Sequence, residues 1–121
     1  MRQYDISQIV HPKANYRVVN MFQQLWDCDG YDYRSTPRPE CGLLLVTQGS
    51  ITYHFAELQL QAVAGDLLFL PKGCNYQVTT GYARDYLVNF QTDAAPCRPI
   101  QSVCLPALPG NMWIIFSGWW R

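Results

Sequence analysis

The chain has 121 residues, 49% hydrophobic and 15% charged, and its nine basic residues balance nine acidic ones. At 13.9 kDa this is one domain's worth of sequence with enough apolar material for a real core, which excludes a disordered chain. A pI near 6.7 leaves no basic surplus for gripping nucleic acid or anionic lipid. The longest apolar runs, such as Leu43–Val46 and Met112–Phe116, are too short to cross a bilayer, and the amino terminus lacks an apolar signal core. The expectation is a soluble, cytoplasmic protein with no membrane partner, folded as a single domain over 1–121.

In chain order, the first candidate element is Arg17–Trp26. Its Val18, Met21, Phe22, Leu25 and Trp26 fit a helical face about as well as a strand, and an all-β neighbourhood decides for the strand. Asp27–Asp32 has the look of a calcium loop, but the sixth and twelfth positions of such a loop hold Asp32 and Arg38, so a solvated turn is expected. From there turn formers punctuate the chain at the rhythm of an all-β sandwich or barrel: Gly30, Pro37 and Pro39, Gly42, Gly49-Ser50, Gly65-Asp66, Pro71-Lys72-Gly73 and Gly81. Between them, strands are predicted at Leu43–Thr47, Ile51–Phe55, Leu58–Val63, Leu67–Leu70, Tyr76–Thr80 and Tyr86–Phe90. Ile51–Phe55 alternates bulky apolar with smaller or polar residues, the period of a half-buried strand. The tail from Asp93 is rich in proline and ends in an apolar stretch with three tryptophans, Trp113, Trp119 and Trp120, an expected surface for self-association.

Residues that could carry catalysis are sparse. Cys28, Cys41, Cys74, Cys97 and Cys104 form no C-x-x-C pair and, with only His11 and His54 beside them, no zinc spacing, so they read as reduced thiols. His54 stands alone on a predicted strand, on the face opposite Tyr53 and Phe55, so only one of Tyr53 and His54 can line an interior. No nucleophile elbow, dinucleotide turn or phosphate loop occurs, and carboxylates suited to acid–base work are scarce.

Gly65-Asp66-Leu-Leu-Phe-Leu-Pro71-Lys-Gly73 has the G-x5-P-x-G spacing of the second motif of the cupin superfamily, and Gly49-Ser50 opens the hairpin leading to it. Against the metal-binding cupin pattern, however, the ligand places hold Thr36, Arg38, Gly42 and Tyr76, with Thr80 at the asparagine place. A barrel without these ligands cannot organise a catalytic iron, manganese or zinc.

Tyr33-Arg34, Gly42–Val46, Gly49–Tyr53, Gly65–Gly73 and Tyr86–Phe90, taken in order, resemble the N-terminal effector-binding and dimerisation domain of AraC-type transcription regulators, over about half the chain. The resemblance implies an all-β, cupin-like double-stranded β-helix (a jelly-roll barrel), with a C-terminal tail that is helical, irregular or a last strand. It implies a non-enzymatic domain that senses a small molecule, a sugar or another metabolite, with no metal and no other cofactor. A homodimer is implied, as is DNA binding only through a C-terminal helix-turn-helix domain outside this sequence. The ligand-binding candidates are Arg34, where the family often carries an arginine, and Arg38, Tyr76, Val78 and Tyr53, expected to face the barrel interior. The competing readings are a stand-alone small cupin enzyme, isomerase- or oxygenase-like with a non-standard site, and a barrel that only self-associates.

Overall fold

A computed structural model describes residues 2–28, 30–102 and 113–116. These form eleven strands: β1 (Arg2–Asp5), β2 (Tyr16–Trp26), β3 (Tyr31–Arg34), β4 (Cys41–Gln48), β5 (Ser50–His54), β6 (Gln59–Val63), β7 (Leu67–Leu70), β8 (Gln77–Thr80), β9 (Ala83–Thr92), β10 (Ile100–Ser102) and β11 (Trp113–Phe116). A five-stranded sheet in the order β10-β7-β4-β9-β2 faces a four-stranded sheet in the order β3-β8-β5-β6, and β1 pairs with β11. Neighbouring strands are antiparallel throughout. Among the described residues there is no helix, and none long and apolar enough to cross a membrane.

The interior follows from the pleat. Residues directly opposite one another in an antiparallel pair share a face. Leu44 stands opposite Leu68 on one side and Leu87 on the other, while in the facing sheet Tyr53 stands opposite Val78 and Leu60. These rows meet in one core with Trp26, Val46, Ile51, Ala62, Leu70 and Ala83. The other face of the larger sheet is not left to solvent. The N-terminal segment lies over it, Tyr4 and Ile6 packing on Leu45 and Leu67, and Ile9 on Cys41, Phe69, Phe90 and Ile100. Both faces of β7 are therefore buried, which is why Leu67–Leu70 is a continuous apolar run without alternation.

β7 has the bounds expected from sequence, and β5, β6 and β8 differ from expectation only at their ends. β4 and β9 run longer than expected, because their outer residues add to the ladder beyond the apolar cores that signal them. Tyr16–Trp26 is a strand, paired with β9. β1, β3 and β10 have no counterpart in the sequence reading; they are three or four residues long and carry no continuous apolar run. The described part of the tail, Trp113–Phe116, is the strand among the three forms left open for it. What the expected association residues Trp113, Trp119 and Trp120 contact lies outside the described residues.

Candidate functional site

A cavity of about 500 Å³ opens between the two sheets, a size usual for small-molecule sites. Four strands of the larger sheet supply one wall: Phe22, Gln24 and Trp26 from β2, Leu87 and Asn89 from β9, Leu44 from β4 and Leu70 from β7. Tyr53 of β5, Val78 of β8, Tyr33 of β3 and Tyr76 just before β8 supply the other. Phe22, Leu25 and Tyr33 line the cavity and are also exposed, so the mouth lies between β2 and β3. There the rings of Trp26 and Tyr33 meet edge-on, centroids 6.2 Å apart.

Arg38 is the one charged side chain among these lining residues, and it comes from a loop. The connection between β3 and β4 is zipped onto the turn after β7. Arg38 N–H donates to the Cys74 carbonyl (2.9 Å), Gly73 N–H to the Arg38 carbonyl (2.8 Å), Ser35 N–H to the Tyr76 carbonyl (2.9 Å) and Tyr76 N–H to Ser35 Oγ (2.8 Å). The Pro71-Lys72-Gly73 turn thus holds up the loop that carries the arginine. From this perch the half-buried guanidinium reaches inward. Its Nη1 donates to the Tyr76 hydroxyl (3.1 Å), Nη2 to Asn89 Oδ1, and Nε to the Glu40 carbonyl (3.2 Å). Asn89 in turn donates to Asn20 Oδ1 (2.8 Å), so one polar chain links the two sheets across the cavity.

Around it the walls are aromatic. Tyr76 meets Tyr53 edge-on at 5.1 Å and Phe55 at 5.7 Å, and Tyr53 stacks on Phe55. Burial pushes the Tyr53 phenol well above its ordinary pKa, and nearby Asp85 and Tyr76 add to the effect. Burial likewise raises Tyr76, partly offset by the Arg38 charge. Both are neutral hydroxyls over the physiological range.

Behind the cavity wall, on the same face of β9 as Leu87 and Asn89, sits Asp85. It is fully buried, opposite Gln24 and Val46. Its Oδ2 accepts from Trp26 Nε1 (2.9 Å) while Oδ1 has no partner, and burial lifts its carboxyl to about 7.

Of the residues singled out from sequence, Arg38, Tyr76, Val78 and Tyr53 are brought together around this cavity. Arg34 is exposed, on the face of β3 opposite Tyr33, and is not among the lining residues. His54 also faces outward, its Nε2 2.8 Å from Thr79 Oγ1. Asn89, Gln24, Trp26 and Tyr33 were missed. Alternation along β9 carries the signal for Asn89, which follows Asp85 and Leu87 at the period of one strand face. Thr36, Arg38, Gly42 and Tyr76, at the cupin ligand places, offer no metal-binding set; among the described residues no three His, Cys, Asp or Glu side chains come together.

Two facing antiparallel sheets around a lined cavity define a cupin-type jelly-roll barrel. Solved structures with this fold include YhaK from Escherichia coli (20% identity, TM-score 0.58, covering 85% of this chain and 50% of that one). A protein of unknown function from Rhizobium leguminosarum is also similar (14% identity, TM-score 0.55, covering 75% and 97%). So is a cupin superfamily protein from Desulfitobacterium hafniense (14% identity, TM-score 0.50, covering 68% and 81%). No curated protein matches the chain. Residues 18–94 match the AraC-like ligand binding domain, and the chain belongs to that family.

Proposed function

We propose that this chain is the effector-binding and dimerisation domain of an AraC-type transcription regulator, one domain over residues 1–121. Its ligand is a small molecule, a sugar or another metabolite, taken up between the sheets. The domain binds and does not catalyse, uses no cofactor, works in the cytoplasm as a homodimer, and controls DNA through a separate C-terminal helix-turn-helix domain. One observation carries the reading: a lined cavity with a polar cluster of Arg38, Tyr76 and Asn89 on its wall, Arg38 and Tyr76 being at two of the sequence places where metal cupins carry ligands. Such a cluster recognises hydrogen-bonding groups and supplies no Lewis acid.

The test is a thermal-shift screen of the purified domain against sugars and small organic acids, followed by mass spectrometry of the bound hit. A ligand at a hundred times its Kd stabilises the fold by about 2.7 kcal/mol, on the order of ten degrees in Tm. A hit recovered unchanged after long incubation supports a receptor. Turnover of the hit overturns the reading in favour of a cupin enzyme.

A further inference from the structure

We propose that the cavity takes a small organic carboxylate, its carboxylate group held by Arg38 and its apolar or aromatic body lying against Tyr53, Val78, Leu44 and Leu87. The inference rests on the effector-binding reading above and names the class of effector.

The argument starts from the charge. Arg38 is half-buried at the wall of the cavity, beside the apolar side chains Leu44, Leu70, Val78 and Leu87. Its three partners, the Tyr76 hydroxyl, the Asn89 side-chain carbonyl and the Glu40 backbone carbonyl, are all neutral. Among the described residues it has no ion pair. A guanidinium carries five N–H donors, so these contacts leave one on each terminal nitrogen. A planar cation with a donor left on both terminal nitrogens suits a carboxylate, an anion with two acceptor oxygens. Such a partner would also neutralise a charge that the cavity now leaves uncompensated.

The remaining lining decides between an acid and a polyol. Beyond the Arg38 cluster, the polar side chains lining the cavity are the Tyr33 and Tyr53 hydroxyls and the Gln24 amide. A sugar would bring a ring of hydroxyls into walls made by Leu44, Leu70, Val78 and Leu87, and each buried hydroxyl without a partner is costly. A molecule with one anionic end and an apolar remainder sets the anion on Arg38 and the remainder on these apolar side chains. The exposed aromatic rim of Phe22 and Tyr33 gives such a body a path in.

The experiment is calorimetric titration at pH 7 with benzoate, phenylacetate and hexanoate, their neutral primary amides, and L-arabinose and D-glucose. At least one acid is expected to bind, its amide about tenfold or more weaker, with affinity falling as salt is raised. Arg38→Met should weaken the acid by a similar factor, and Arg38→Lys should retain part of the binding. If Arg38→Met does not fold, as judged by circular dichroism, Gly42→Ala serves instead, because it displaces the guanidinium from the strand side. Amides binding as well as acids, or an acid unaffected by both the Arg38 and Gly42 variants, overturns the inference. A sugar that binds where no acid does overturns it too, but leaves the effector-binding reading standing. Failure of every probe counts against both.

Discussion

The guanidinium of Arg38 occupies the space a side chain at position 42 would need: a Cβ on Gly42 would lie 2.7 Å from Arg38 Nη2. Gly42 is inside β4, opposite Asn89 on one side and Leu70 on the other, so the strand passes directly beneath the polar cluster. The position that would hold a metal-ligating glutamate in a cupin is here emptied to seat a cation from a loop. Nothing in the backbone of β4 requires glycine at this place, and the space it leaves is filled by the guanidinium.

Gly42→Ala is therefore expected to separate binding from folding. The clash is with the far end of a flexible side chain, which can move, and alanine is the better strand residue by roughly 0.5–1 kcal/mol. The unliganded Tm should hold or rise slightly, while the contacts to Asn89 and Tyr76 are lost and ligand affinity falls about tenfold. Melting curves with and without ligand check both halves.

Gly49→Ala is expected to do the opposite. Gly49 sits at φ 74° in the turn between β4 and β5, and a Cβ there would run into the Tyr82 carbonyl, a backbone atom that cannot yield. Left-handed strain and the clash together should cost about 2 kcal/mol or more, read as a drop in Tm with ligand affinity little changed in the folded fraction.

Asp85 should make stability fall as pH rises. Its carboxyl is raised from 3.8 to about 7 in the folded protein, so between these values the unfolded chain has lost a proton that the folded one keeps. The folded state then binds more protons, and stability declines across that window, levelling above pH 7, by at most about 4 kcal/mol. Asp85→Asn keeps an acceptor for Trp26 Nε1 and cannot ionise. Denaturant unfolding from pH 4 to 8 should show the decline in the parent and a flatter profile in the variant.

The edge of the larger sheet offers a fourth test. β2 closes that sheet on one side, and along it Val18 is 58% and Met21 69% exposed. A long apolar edge strand invites pairing with another chain, and a charge on it discourages this. Val18→Lys and Met21→Lys should raise the concentration at which the protein stays dispersed, by light scattering, while changing stability by less than about 0.5 kcal/mol.

Local chemistry made much of the barrel legible in advance. Glycine at 49 and 65 and the Pro71–Gly73 turn mark chain reversals because few other residues adopt those backbones, and the apolar stretches between them become the central strands β4 to β9. The vacated metal positions pointed to Arg38 and Tyr76, and Val78 follows Tyr76 by period-2 alternation; alternation also required that only one of Tyr53 and His54 face inward, and it is Tyr53 that lines the cavity with the other three. What the tertiary structure alone decided is long-range. Asn89 meets Arg38 across 51 residues of sequence, and Gln24 and Trp26 reach the wall only because β2 pairs with β9. The short strands β3 and β10 form at open edges of the two sheets, and β1 and β11 form by pairing with each other across most of the chain, partners that local sequence does not announce. Arg34 and Arg38, four residues apart and alike in chemistry, part company for the same reason. One lies on the outer face of a strand, while the other is turned inward by a loop hydrogen-bonded to Gly73 and Cys74, residues that sequence distance gives no cause to connect.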